Sequence, residues 1–425
     1  MFSIILSIAA IVCSTVILQI GNNMVAPLLV LRANAAAENL GYVGLIPTAY
    51  GIGFVFGCFW GPKLINQVGH IRAFAVAAAI LSTLAITMHL SSSTESGIII
   101  RGVMGGAIAI ISTCADSWVV RGTPTAMRGQ VMGLYATVTK LAHVSAPAML
   151  AASVFISEQG LLLAASLFAL SLVPVAMTKM PPIPEIITGG SLSFKPLFLA
   201  VPSSVGAAFA IGLANGAVLN FLPIYGLSID LTMANAFALI AIAHFGGLTL
   251  QWPLGLISDA IGRRVVMATA LIVAAAVSVS ITLSPSGAEN LILLLVFIWG
   301  GTGLSIYSIA LSHAVDHFEG ENMVNVCATM LVIWSTASVI GPVAGGVLMD
   351  NYGPEALVYF SAFFQFIAGL FIVGRMLNTK RHASENSFVN VPISSSMIHA
   401  LDPRVDTVSP LADESEQKSS NNDPL

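Results

Sequence analysis

About twelve apolar runs, each near the length that crosses a bilayer, succeed one another along this chain and decide what it can fold into. They lie at roughly 5–29, 41–60, 72–91, 97–119, 129–154, 160–178, 197–222, 233–254, 264–283, 290–313, 323–349 and 356–376. Only 8% of the 425 residues are charged, while 56% are apolar. A soluble domain carries roughly 25% charged residues, and so few charges could not cover the surface of a water-soluble fold of this size. The bilayer is therefore the solvent for most of the chain. In hydrocarbon every backbone N–H and C=O must be satisfied internally, so runs of this length become helices. The expected fold class is an all-α integral membrane protein with twelve transmembrane helices.

The same composition removes several functions. A net charge of −4 argues against a nucleic-acid partner. Cys13, Cys58, Cys114 and Cys327 all fall in apolar runs without zinc or redox spacing, and read as small buried hydrophobes. No G-x-x-x-x-G-K-[ST] loop is present to drive a self-contained ATP pump. No Ser–His, Cys–His or paired-carboxylate constellation stands at catalytic depth, so an enzyme is not expected. The first charged residue is Arg32, which leaves no basic n-region. The opening run is expected to be a retained first helix.

Two polar stretches divide the chain. Residues 179–196, rich in Pro, Gly and Ser, read as a cytoplasmic linker between bundles at 1–178 and 197–378. Residues 379–425 lack any periodicity and read as a disordered cytoplasmic tail. With both termini inside, the inner loops and ends hold Lys63, Arg72, Arg121, Arg128, Lys179, Lys195, Arg263, Arg264, Arg375, Lys380, Arg381, Arg404 and Lys418 of the 16 basic residues. Positive charge concentrates on the cytoplasmic side of membrane proteins, so this placement predicts both termini in the cytoplasm.

The two halves repeat one another. "QIGNNMVAPL" in segment one follows the pattern of "AIGLANGAVLNFLPI" in segment seven. "FWGPKLINQVGHIRAF" follows segment two as "QWPLGLISDAIGRRVV" follows segment eight. Aligning Gly69 with Gly262 sets Asn66 opposite Asp259. Gly255, Asp259, Gly262, Arg263 and Arg264 resemble the loop signature of the major facilitator superfamily, a glycine, an acid, a glycine and clustered basic residues. "RGVMGG" in segment four resembles that family's arginine-plus-glycine motif at Arg101 and Gly105, and segment eleven supplies "GPVAGG", with Gly341 and Pro342. "GHIRAF" at 69–74 and "DSW" at 116–118 resemble a bacterial branch whose members mostly lack an assigned substrate. The resemblance covers about residues 1–378 and implies two pseudo-symmetric six-helix bundles in a bacterial inner membrane.

The resemblance also implies roles. The Asp259–Arg264 turn would latch the two halves, with Arg263 and Arg264 held at the inner face. Its first copy is degenerate: Asn66 replaces the acid, and His70 and Arg72 are the basic remnant. Asp116 would then pair with Arg72 or Arg128, or stand as a solvated helix end. In this fold segments one, four, seven and ten line a central cavity, flanked by two, five, eight and eleven. Polar residues within those helices, with Arg101 nearer the outer end of segment four, where it would bind an anionic group or pair within the N-terminal half, mark the site. They are Asn22, Asn23, Arg101, Lys140, His143, Asn215, His244, Tyr307 and Trp334. Lys140 and His143 share one helical face, and a lysine at helix centre costs about 2.5–3.5 kcal/mol. His313, Asp316, His317, Glu319 and Glu321 cluster after segment ten and read as a solvated acidic loop rather than a metal site.

The expected function is secondary active transport of a small organic anion or zwitterion by alternating access. No cofactor is expected, and no carboxylate stands at clear mid-depth; if protons are coupled, His143, His244 or Asp116 must carry them. The expected partners are a small-molecule substrate and the lipid bilayer, around a monomer. The alternatives are an efflux antiporter for drugs or metabolites, and a non-transporting membrane sensor or assembly partner of the same fold.

Overall fold

The computed structural model describes residues 2–91, 93–123, 128–152, 159–178, 194–285, 287–318 and 321–378. The tail at 379–425 and most of the linker, 179–193, lie outside them. Among the described residues all regular structure is helical. The first set of helices is α1 (Phe2–Ala35), α2 (Leu40–Val43), α3 (Leu45–Val68), α4 (His70–Leu90), α5 (Thr94–Gly122), α6 (Arg128–Ala151), α7 (Gln159–Leu170) and α8 (Leu172–Ala176). The second is α9 (Phe194–Ala200), α10 (Pro202–Ser228), α11 (Met233–Ile261), α12 (Arg263–Thr282), α13 (Glu289–Gly303), α14 (Ile306–Val315), α15 (Glu321–Tyr352) and α16 (Ala356–Asn378). Residues 194–196, read from sequence as the linker's end, already belong to α9.

Eleven helical stretches among the described residues are long and apolar enough to cross a membrane. The twelfth expected segment is α6, 24 residues long. Lys140 and His143 interrupt its apolar run, so the helix that suits hydrocarbon least is one that carries candidate site residues. Large apolar side chains such as Phe56, Trp60, Leu134, Trp252 and Phe363 remain exposed, as they should when lipid replaces water outside the bundle.

Four expected segments are broken rather than continuous, and the break in segment ten bears on the site. The run "GGTGLS" stops α13 at Gly303, and α14 starts at Ile306. Glycines weaken the helix there. The Ser305 hydroxyl donates back to Gly301 O at 2.6 Å, a local bond that competes with helix continuation.

The repeat read from sequence has a backbone counterpart. Gly69 joins α3 to α4 with φ 85°, and Gly262 joins α11 to α12 with φ 103°. Both turns need a residue free to adopt positive φ. The packing repeats as well. Gly53, Gly57 and Gly105 press α3 against α5, and Gly246 and Gly300 press α11 against α13, each so closely that a Cβ would overlap the facing backbone. Small residues allow this approach, and close packing is what joins helices when lipid is as apolar as leucine. The stretch "GAAFAIGLANGA" acts likewise: a Cβ on Gly212 would lie 2.6 Å from Trp334 O, and one on Gly216 would lie 2.5 Å from Ser338 O.

The two sets meet tightly at one end of the bundle. Asp350 of α15 accepts from the Leu40 N–H at 3.0 Å and the Gly41 N–H at 2.8 Å, capping the N-terminus of α2. Two to three turns deeper, Thr48 Oγ1 donates to Val339 O at 2.6 Å. Gly44 seats on Pro342, where a Cβ would stand 2.6 Å from its carbonyl oxygen, and Gly346 packs on Leu40 O. The "GPVAGG" motif therefore serves this seam. Asp350 is exposed, which limits its contribution to about 1–2 kcal/mol. Asp350→Ala is expected to make the contact at this end part roughly tenfold more often. Faster alkylation of a cysteine placed at Val339, with the native cysteines replaced, would report it; an unchanged rate would remove Asp350 from the seam.

Candidate functional site

A cavity of about 260 Å³ lies between the two sets of helices. From the first set it is lined by Lys140 and His143 of α6, and from the second by Asn215, His244, Tyr307 and Trp334. These are six of the nine cavity residues expected from sequence. No carboxylate lines it among the described residues. The remaining wall is largely apolar, with Leu219, Leu248 and Leu304.

The geometry assigns each polar group a capacity. His143 Nδ1 lies 3.0 Å from Thr139 O, and His244 Nδ1 lies 2.9 Å from Ile240 O. A carbonyl only accepts, so each ring must carry its proton on Nδ1 and present Nε2 as an acceptor when neutral. The rings approach to 5.7 Å between centroids, one from each set of helices. Tyr307 and Trp334 lie 5.6 Å apart at 55°, an aromatic wall. The buried Tyr307 hydroxyl and Asn215 Oδ1 have no hydrogen-bond partner among the described residues, so a bound solute can satisfy them. Among the described residues Lys140 brings the cavity its one primary amine. The α13–α14 break places Leu304 and Tyr307 on the wall, and helices broken at such points recur at solute sites of transporters.

Asn220 and Ser338 also line the cavity, and sequence reasoning missed both. Ser338 stands four residues beyond Trp334 and so on the same helical face, a signal that was available. Asn220 gave less: its Nδ2 bonds Gly216 O at 2.8 Å, as a mid-helix amide often does.

Asn22, Asn23 and Arg101 are not on this cavity wall. Arg101 is 3% exposed and stands 4.2 Å over the Tyr50 ring, and Asn22 Nδ2 donates to Tyr50 Oη at 3.2 Å. Asn23 is half-buried on α1 with Nδ2 enclosed and unbonded among the described residues. Asn22 and Asn215 match in sequence, yet Tyr50 on α3 captures the first. The aromatic ring also gives Arg101 a partner that no charge pattern would reveal.

The signature turn packs into its own set of helices through two arginines. Arg263 Nε contacts Asp316 Oδ2 at 2.6 Å, and Arg263 Nη2 lies 3.6 Å from Asp259 Oδ1. Arg264 Nε donates to His313 Nε2 at 2.9 Å, while His313 Nδ1 lies 2.8 Å from Ser204 Oγ. All of these residues belong to the second set, and these contacts tie α10, α12 and α14 together. The seam between halves closes at the opposite, Asp350 end. His313 is 6% exposed, and Asp316 is engaged by Arg263, which corrects the reading of this region as a solvated loop. Buried Gly255 accepts from Ser258 Oγ at 2.7 Å. A Cβ on Gly341 would overlap Leu213 O of α10.

In the first copy Asn66 and Arg72 are exposed, and His70 Nε2 lies 2.9 Å from Ser117 Oγ. Asp116 is 2% exposed and accepts from the Tyr135 hydroxyl at 3.0 Å, so it is not a solvated helix end. The side chain of Arg128, one of its expected partners, and those of Glu319 and Glu321 lie outside the described residues.

The family model described as Major Facilitator Superfamily matches residues 11–326 and 245–401. The chain belongs to the major facilitator superfamily. Its fold and membrane-spanning helices are those of that family's transporters rather than of an enzyme. Among curated relatives, the "Uncharacterized MFS-type transporter YE1530" of Yersinia enterocolitica is 24% identical over 345 residues, 79% of this chain and 85% of that protein. "Uncharacterized MFS-type transporter YcaD" of Salmonella typhi is 22% identical over 370 residues, 85% of this chain and 93% of its own. Among solved structures, the nucleoside transporter NupG superposes with a TM-score of 0.70 at 13% identity, covering 88% of this chain and 100% of that one. A D-xylose-proton symporter gives 0.70 at 14% identity, covering 93% and 99%. At these identities the structures establish the shared fold.

Proposed function

We propose that this major facilitator protein is a secondary active transporter that moves a small organic anion or zwitterion across the bacterial inner membrane by alternating access. One observation carries the substrate class: Lys140 projects into a cavity between the two halves whose described lining holds no carboxylate. A lysine at that depth costs about 2.5–3.5 kcal/mol, and a bound anion offsets it with a charge-assisted hydrogen bond. The Leu219, Leu248, Leu304 and Trp334 surfaces suit an apolar or aromatic body on that anion. A volume of about 260 Å³ falls below the roughly 300–1,000 Å³ typical of drug-sized ligand sites, which supports a small solute over a multidrug one.

Orientation follows from the basic residues: the Gly262 end faces the cytoplasm, and the seam at Asp350 closes the periplasmic side. The bundle then rocks about the Lys140 cavity, opening the Asp350 seam as the cytoplasmic end closes.

A thermal-shift screen of purified protein against organic anions, amino acids, sugars and lipophilic cations tests the reading. A ligand at about 100 times its Kd stabilises the native state by about 2.7 kcal/mol. An organic anion is expected to raise the melting temperature, and Lys140→Ala to weaken that anion roughly 10- to 100-fold. An anion shift unaltered in Lys140→Ala, or shifts from lipophilic cations alone, would overturn it.

A further inference from the structure

We infer that His143 and His244 form a single proton site shared between the two halves, and that binding of a carboxylate solute beside Lys140 is linked to protonation of this pair. The inference deepens the transport reading above and rests on it for the anion. The proton site stands on geometry of its own.

The two histidines are placed alike. Each bonds the carbonyl four residues earlier through Nδ1, at 3.0 Å for His143 and 2.9 Å for His244. Each is thereby fixed with its proton on Nδ1 and a lone pair on Nε2. Both line the same cavity. One rides on α6 of the first set and the other on α11 of the second, 5.7 Å apart between ring centroids. A proton arriving from water can be accepted only at Nε2, and the ring then becomes a cation with a donor aimed away from its own helix.

Two protons on rings this close, with Lys140 on the same face, would set three positive charges together. At the 5.7 Å between the ring centroids and an effective dielectric near 20, two unit charges repel by about 3 kcal/mol. The pair therefore takes one proton before it takes two, and titrates as a unit. A carboxylate in the cavity changes that balance, because it accepts from Lys140 and from the new Nε2–H together. By linkage, whatever the proton does for the anion the anion does for the proton. Because one ring belongs to each half, separating the halves alters the interaction and gives the proton a route to release.

The surrounding charged groups are otherwise occupied. Tyr307 of α14 is the further titratable group on the cavity wall. On helices packed against α6 and α11, Arg32 of α1 donates to Met88 O, and Arg101 and Asp116 of α5 are held by Tyr50 and Tyr135. Arg263 pairs with Asp259 and Asp316, and Arg264 bonds His313. Glu289 of α13 accepts from Asn235 at 2.7 Å. Tyr225 of α10 is buried.

The test uses the full chain in lipid nanodiscs with labelled histidine, and the proton itself as the first probe. NMR titration of wild type, His143→Gln, His244→Gln and Lys140→Gln follows each ring. The expected result is that removing either histidine moves the other's titration to higher pH, as does removing Lys140. Titrations that ignore the partner's removal, or rings that take no proton across the range in which the protein stays folded, overturn the shared site. A second arm measures benzoate binding against pH. Wild-type affinity is expected to rise about tenfold per unit fall in pH through the pair's titration, with one proton taken up per anion. The slope flattens in His143→Gln and His244→Gln. Coupled histidine titrations with pH-independent benzoate binding overturn the linkage, whereas benzoate binding that survives Lys140→Gln unchanged overturns the anion reading and leaves the proton site to the first arm.

Discussion

Asp316→Ala is expected to destabilise the protein by about 3–5 kcal/mol, the cost of breaking a buried ion pair by removing one partner. Arg263 is 2% exposed at its side chain and Asp316 10%. The 2.6 Å contact from Nε and the 3.4 Å contact from Nη2 to the other carboxylate oxygen make the pair two-pronged. Without Asp316 the guanidinium keeps Asp259 at 3.6 Å, with a side chain 27% exposed, which holds the loss near the lower end. Asp259→Asn should cost less than Asp316→Ala, since its contact with Arg263 is longer, at 3.6 Å, and its side chain is more exposed. Arg263→Met combined with Asp316→Leu should cost less than Asp316→Ala alone, because no buried charge is left uncompensated. Thermal unfolding in detergent checks all three. A larger loss for Asp259→Asn than for Asp316→Ala would show that the signature acid, and not Asp316, anchors the arginine.

Gly53→Ala is expected to be the most damaging single-methyl change, at or above the roughly 1–3 kcal/mol typical of overpacking. The added Cβ would overlap the Gly102 backbone, which has no flexible side chain to yield. α3 and α5 would have to separate along the whole glycine face. Gly102→Ala, one helix away, is the control: its Cβ would lie 3.6 Å from Ala49 O, in ordinary contact. Alanine there removes the flexibility penalty of a helical glycine, about 0.5–1 kcal/mol, so Gly102→Ala should be neutral or stabilising. Unfolding midpoints of the two variants decide the matter, and similar losses in both would contradict the asymmetry of this contact.

Much of the site was legible because polar residues in apolar runs are rare. Lys140, His143 and His244 stood out for that reason, and their helix partners followed from the repeat. Asn22 and Arg101 satisfied the same rule and still fell elsewhere, since the rule reports that a polar group needs a partner and not which partner it finds. Tyr50 met that need from a helix far away in sequence. The acidic cluster after segment ten failed similarly. Charge near a helix end suggests water, but Arg263 and Arg264 reach across from α12 and bury Asp316 and His313.

The sequence by itself determined the solvent, the run of apolar helices, the repeat and the glycine turns at Gly69 and Gly262. Those follow from local composition and backbone sterics, which act within one segment. Only the tertiary structure decided that α13 and α14 part beside the cavity and that Asp350 caps α2 at the closed seam. It also decided that Arg263 and Arg264 reach Asp316 and His313, and that His143 and His244 face each other across the two sets. These depend on distances between residues remote in the chain, and such distances are set by how closely glycine faces let whole helices approach.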